Sequence, residues 1–275
     1  MATRLPLSVT PAALLCTLLA ASCGSASAPT PVGTASTLPT ASPRVSAATA
    51  APATPTAAAQ PSASVPPSNL PVLTDGPITP GRYRYVLEGE CEDPRDCPPH
   101  ATPLPPLPIE IIVPAGWEAI FGGLVILPAG LGTEGPEGAG LVLGWTNWWV
   151  GLNSDPCLPV AHVPPDIPVG PTVDDFVDAV VAHAGLEVSE PTDVELGGFS
   201  GRFLSLTGPS DIDDCDNWRP WDPGFFVQGP DNLWDIWVID VDGFRVLIIA
   251  EYFAGTPAEV KGELREMVES IRFLP

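Results

Sequence analysis

The sequence predicts an α+β domain with a mostly antiparallel sheet and two packed amphipathic helices, preceded by a disordered linker. Three observations carry this expectation. Two hairpin signals, Gly197-Gly198 and Asp242-Gly243, each separate apolar segments, and a two-residue turn imposes antiparallel pairing. Two further segments, starting near Thr172 and Thr256, repeat apolar residues at helical spacing. Each such helix has one apolar stripe to bury, and a sheet face is the economical cover.

The elements follow in order. Ile109-Glu110-Ile111-Ile112-Val113 reads as a strand running into Pro114-Ala115-Gly116-Trp117, and residues 121–127 read as a second strand. Residues 141–150 form a third. Its alternation puts Leu141, Leu143, Trp145 and Trp149 on one face and Val142, Trp148 and Val150 on the other, as expected of a strand covered on both sides. Trp145, Trp148, Trp149, Trp234 and Trp237 are expected in the core, and a Trp145/Trp149 face left open would make a stacking platform.

The first helix is expected to be capped by Thr172, with Asp174 and Asp175 in its first turn and Gly185 just past its end. Val173, Phe176, Val177, Val180, Val181 and Ala184 make one stripe. Residues 194–196 and 199–207 then form one hairpin, and residues 233–240 and 244–252 the other. Thr256-Pro257-Ala258-Glu259 reads as a capping box with proline at the first helical position. The second helix follows, with Val260, Leu264, Met267, Val268 and Ile271 inward. Arg272-Phe273-Leu274 closes the chain as a short edge strand or docked tail.

Composition bounds the function. The 275 residues carry 33 Asp and Glu against 11 Lys and Arg, a net charge of -22. Such a chain repels phosphate backbones, so nucleic acid is excluded as a partner. No acidic residue precedes Asp75, and Lys261 is the only lysine. The arginine bias, with abundant Ala, Gly and Pro, points to a GC-rich bacterial genome.

Residues 1–22 read as an export signal. Arg4 supplies the positive start, and the ten-residue apolar run 12–21 is too short to cross about 30 Å of hydrocarbon. Leu19-Ala20-Ala21-Ser22-Cys23 resembles the lipobox of bacterial lipoproteins, with Ala20 where that motif prefers Leu. The resemblance implies lipidation of Cys23 and a place on the extracytoplasmic face of the bacterial cell membrane, with full secretion if the lipobox is unused. Residues 23–74, rich in Ala, Ser, Thr and Pro, are expected to be a disordered tether. Residues 75–275 are expected to be one acidic globular domain, with a proline-rich extension at 75–108 and a core at 109–275.

Four cysteines belong to that domain. An even count in an oxidising compartment points to two disulfides, for which three connectivities exist. The short turn-forming loop between Cys91 and Cys97 favours their pairing, which leaves Cys157 with Cys215. No Cys-x-x-Cys occurs, and His100, His162 and His183 lack ligand spacing, so neither metal nor cofactor is expected.

Ile112-Val113-Pro114-Ala115-Gly116-Trp117, residues 170–176, residues 191–198 and Met267-Val268-Glu269-Ser270-Ile271-Arg272-Phe273 together resemble a family of uncharacterised exported bacterial lipoproteins, over roughly residues 105–275. More distantly, the strand into Pro-x-Gly-Trp and the final helix into Ser-Ile-Arg-Phe are similar to Mog1/PsbP-like lipoproteins, which implies an antiparallel sheet between helices. Neither resemblance brings catalytic residues.

Motifs for catalysis are missing. Gly198-Phe199-Ser200-Gly201-Arg202 fails the nucleophile-elbow pattern, and no phosphate loop or zinc-protease motif occurs. The connection 208–232 is the most function-like stretch, because long aperiodic loops inside compact domains usually bind or catalyse. The plain reading is a solvated acidic loop with Trp218 or Trp221 capping the sheet; the sharper one makes Asp213, Asp214, Asp216, Trp218 and Trp221 a candidate rim for a ligand or partner. The expectation is a non-enzymatic, tethered surface lipoprotein that binds an envelope ligand or protein. The alternatives are a secreted hydrolase of envelope sugars or esters, and a structural envelope protein.

Overall fold

The computed structural model describes residues 69–87, 106–146, 151–157, 165–215, 217–222 and 226–274. The export segment, Cys23, most of the tether, the Cys91–Cys97 loop, the platform side chains of Trp145 and Trp149, and Asp216 lie outside what is described.

The fifteen strands of the described residues begin with β1 (Gly76–Pro77), β2 (Gly81–Leu87), β3 (Leu107–Val113), β4 (Trp117–Ile120) and β5 (Val125–Pro128). β6 (Ala139–Thr146), β7 (Gly151–Leu152) and β8 (Ile167–Pro168) precede helix α1 (Val173–Ala182). β9 (Glu187–Val188), β10 (Thr192–Leu196), β11 (Phe199–Thr207), β12 (Trp221–Asp222), β13 (Leu233–Val241) and β14 (Phe244–Tyr252) come next. Helix α2 (Ala258–Ser270) and β15 (Arg272–Phe273) end the chain.

The hairpin of β13 and β14 is the centre of the main sheet, pairing without a slip from Leu233 opposite Tyr252 to Val241 opposite Phe244. Asp242 and Gly243 turn it at φ of 54° and 86°, the left-handed pair that a type I′ turn requires. The Asp240 carboxylate accepts the Gly243 amide at 2.7 Å and fixes the turn. Strand order across this sheet is β1-β4-β5-β6-β14-β13-β11-β10, with β9 also beside β11, and every pair is antiparallel. β6 is central, as its two apolar faces predict. Its Gly144 sits where the register with β14 shifts, and a Cβ there would lie 1.3 Å from the Leu247 carbonyl oxygen, so only glycine lets the bulge close.

The segment expected as one strand over 121–127 is broken. Phe121–Gly123 is a single 3-10 turn, with Gly122 and Gly123 both at positive φ, so strands β4 and β5 lie on either side of it as a hairpin. The proline-rich extension of the domain carries strands of its own. β2, β3 and β15 form a second antiparallel sheet in the order β15-β3-β2, and Leu73 and Leu87 are fully buried, so residues 69–87 belong to the folded domain. Prolines on both sides hid the strand alternation of Arg82-Tyr83-Arg84-Tyr85.

Alternation along the main sheet sorts two cores. Ile239, Ile248, Leu141 and Leu143 face α2 and the second sheet, together with Ile109, Ile111, Leu264, Met267 and Val268. Trp234, Ile236, Val238, Leu247 and Ile249 face the other way, onto Phe176, Val177 and Val180 of α1. α1 starts as expected, with a full capping box between Thr172 and Asp175. Its end differs, because His183 closes it in an extended conformation and Gly185 takes no left-handed cap. Val181 is half exposed, so the stripe is narrower than the periodicity predicts. The box expected at Thr256 does not form either. That hydroxyl is buried, accepting the Phe253 amide and donating to the Gly138 carbonyl, while Pro257 stands at the cap. Among the described residues no helix is long and apolar enough to cross a membrane.

Candidate functional site

The connection 208–232 is tied at its ends, where the Gly208 amide meets the Asn232 carbonyl at 2.7 Å and the Asp231 amide meets that of Pro209. Cys157 and Cys215 are joined by a disulfide, as expected from the sequence. β12, β7 and β8 form a small sheet beside it. Asp213 and Asp214 are exposed, whereas Trp218 and Trp221 are buried in the second core, Trp221 packing edge-on to both Phe176 and Trp234. The sequence-predicted rim is therefore not assembled: its tryptophans anchor the loop and offer no aromatic face to a ligand. Among the described residues, no three His, Cys, Asp or Glu are placed to hold a metal ion.

The structure brings together a different set, on the opposite face. The pleat of β13 points Asp235 and Trp237 toward α2, and that of β14 puts Ala250 and Tyr252 alongside. α2 closes on the sheet through Leu264 and Met267, and a groove of about 260 Å³ remains between helix and sheet. Lys261 and Arg265, one turn apart on α2, flank its mouth, and Gly262 lies between them in sequence on the same wall.

Asp235 is almost buried and well held. The Ser205 hydroxyl donates to its Oδ1 at 2.7 Å, and Tyr252 is in hydrogen-bonding contact with it. Burial first, and then the negative Asp235, push the Tyr252 phenol up to about 12, so it keeps its proton in neutral water and remains a donor. Arg265 approaches Asp235 Oδ2 only to 3.9 Å, with 63 % of its side chain exposed. The Lys261 ammonium lies 5.3 Å from the centre of the Tyr252 ring, a cation over an aromatic face. Trp237 forms the floor and packs on Phe203 with ring centres 5.1 Å apart. The groove thus offers an apolar floor, one carboxylate and one phenol oxygen as acceptors, and two cations.

The second core holds two further buried ionic side chains. Arg245 Nη1 donates to the carbonyls of Gly170 and Thr172, at 2.7 and 2.9 Å, with its guanidinium over the Phe176 ring. Burial lowers its pKa to about 10, so it is charged and fastens the start of α1. Glu251 is wholly buried, and neither of its carboxylate oxygens has a hydrogen-bond partner.

No protein-family model matches the chain, and no curated protein is significantly similar to it. The groove alone therefore guides the functional reading. Sequence reasoning missed it because its walls come from three elements that only tertiary packing brings together. The signal that was legible is local: the chain's one lysine, an arginine four residues later, and a glycine inside a helix.

Proposed function

We propose that the chain is a bacterial envelope lipoprotein, anchored through Cys23 and a tether, whose acidic domain holds a small ligand in the groove between α2 and the β13–β14 hairpin. Gly262 carries this reading. A glycine inside a helix costs about 1 kcal/mol relative to alanine. Nothing lies within 4 Å of where its Cβ would stand, so no packing contact explains it. Gly262 is exposed and lines the groove beside Lys261 and Arg265.

A binding role is favoured over hydrolysis by the groove's chemistry. It presents one carboxylate, Asp235, where hydrolysis of a glycosidic bond commonly uses a pair. That carboxylate is committed to Ser205 and Tyr252, and the Tyr252 phenol is held protonated, which suits recognition better than proton transfer.

The test is native mass spectrometry on the full chain purified from its host's membranes, compared with the denatured mass. An adduct lost on denaturation is expected in the native protein and absent from a Gly262→Phe variant, whose phenyl ring fills the groove. A wild-type protein without any adduct, or one whose adduct survives in the variant, overturns the groove as the site. For the anchor, metabolic labelling with palmitate is expected to mark the wild-type chain and to be lost, with membrane association, in Cys23→Ser; a variant that stays labelled disproves it.

A further inference from the structure

Resting on that groove as the binding site, we propose that its ligand is an acidic sugar residue, with its carboxylate between Lys261 and Arg265 and its hydroxyls toward Asp235 and Tyr252. The apolar face of the sugar ring lies against Trp237 and Leu264.

The anion follows from the two cations. Like charges four residues apart on a helix repel one another. Lys261 and Arg265 stand so in a chain with a net charge of -22 that has only 11 basic residues. Asp235 pairs loosely with Arg265, at 3.9 Å with most of that side chain in water, and offsets one of the two charges, so the groove lining keeps a net positive charge. A carboxylate seated between the two heads neutralises the repulsion and gives both a short, charge-assisted partner.

A cationic ligand is disfavoured by the same geometry. An aromatic and carboxylate lining would otherwise attract an ammonium group. Here the face of Tyr252 is already taken by the Lys261 ammonium, so an incoming cation meets a charge of its own sign.

The remaining groups ask for hydroxyls and a body. A simple inorganic anion would leave the Trp237 floor and the spare lone pairs of Asp235 and Tyr252 unused, and the volume of about 260 Å³ is small for a drug-sized molecule yet larger than one ion needs. A hydroxylated ring fills it, donating to the remaining lone pairs of Asp235 and of the Tyr252 oxygen and covering the indole with its C–H face. The strongly negative domain repels anions at long range, so recognition depends on these close contacts together and not on charge alone.

The inference is tested by isothermal titration calorimetry on the full chain with glucuronate, glucose and glucosamine. Saturable heat is expected with glucuronate, and binding at least tenfold weaker with the neutral and cationic sugars. Lys261→Met and Arg265→Met, both lining the groove, are each expected to weaken glucuronate binding at least tenfold and glucose binding far less, so that the preference for the acid is lost. Methyl glucuronoside separates the two sources: equal affinity supports a sugar at a chain end, and loss of affinity supports the free acid. Glucose binding as tightly as glucuronate overturns acid recognition, and loss of that binding in Gly262→Phe would leave the groove standing as the site. Absence of heat with all three sugars, while the host-derived adduct is still lost in Gly262→Phe, overturns the sugar acid and keeps the groove. Absence of both heat and adduct ends both readings.

Discussion

Replacing Cys157 and Cys215 together by serine is expected to remove about 4 kcal/mol of stability and to leave the ligand groove working. The bond spans 58 residues, and closing a loop of that size in the unfolded chain accounts for the figure in the loop-entropy view. The loss has an address. Cys215 sits between the ends of a connection that otherwise holds to the domain through Trp218, Trp221 and a few backbone bonds, such as that from the Arg219 amide to the Pro156 carbonyl. Without the bond, that layer is expected to open first, so amide exchange should accelerate in β7, β12 and the connection well before it does in β13 and β14. The groove lies across the sheet, lined by the other face of β13 and β14, and ligand affinity should change less than twofold. Paired serine substitution is preferable to chemical reduction, which would also reach any bond between Cys91 and Cys97. Urea unfolding reads the stability term; a loss below about 1 kcal/mol would show that the bond adds little constraint, and a parallel loss of ligand binding would show that the two faces are coupled.

Where a few neighbouring residues decide the structure, the sequence was sufficient. Asp242-Gly243 and Gly197-Gly198 dictate their turns through φ alone, and the turns set the register of four strands. Thr172 and Asp175 satisfy each other's backbone groups within a single turn. Thr256 presents the same local pattern, yet its hydroxyl is drawn to Gly138, 118 residues away, and the box is lost. Local propensity is a weak term, and a buried hydroxyl goes where a partner exists. The same distinction separates the two candidate sites. Trp218 and Trp221 could be read as a rim or as caps on the sheet because the connection around them is acidic and aperiodic, and their burial beside the disulfide decides for the caps. Asp235, Tyr252 and Arg265 were ordinary residues of a strand, a strand and a helix. Only the pairing of β13 with β14 and the packing of α2 across them make them one site, and neither is written in any short window of sequence.

Glu251→Gln is expected to make the protein more stable at neutral pH and to change little near pH 4. Glu251 projects from β14 into the second core, opposite Trp234 on one neighbour and Gly140 on the other. Its carboxyl occupies the room above Gly140, where a Cβ would come within 2.8 Å of Oε1. Desolvation there penalises the charged form, which raises its pKa well above the ordinary 4.5, and the folded protein keeps the proton. The unfolded chain gives it up above that ordinary value. Above 4.5 the folded state therefore binds more protons than the unfolded state, and stability falls with rising pH. The contribution is complete below 4.5 and lost progressively up to the folded value, at a slope of about 1.4 kcal/mol per pH unit. Glutamine has the same shape and no titration, so the stability difference between the two proteins isolates this one group. Asp166 and Asp175 act in the opposite sense. Hydrogen bonds from Ser154 and Thr172 hold them below 3.8, so their stabilisation is present above that value and lost on acidification, equally in both proteins. Urea unfolding of the pair from pH 4 to pH 8 should show a difference that opens above 4.5 and levels off where folded Glu251 ionises. A difference that stays flat across that range would mean that the carboxyl finds partners or water in the folded core and that its burial is not isolated.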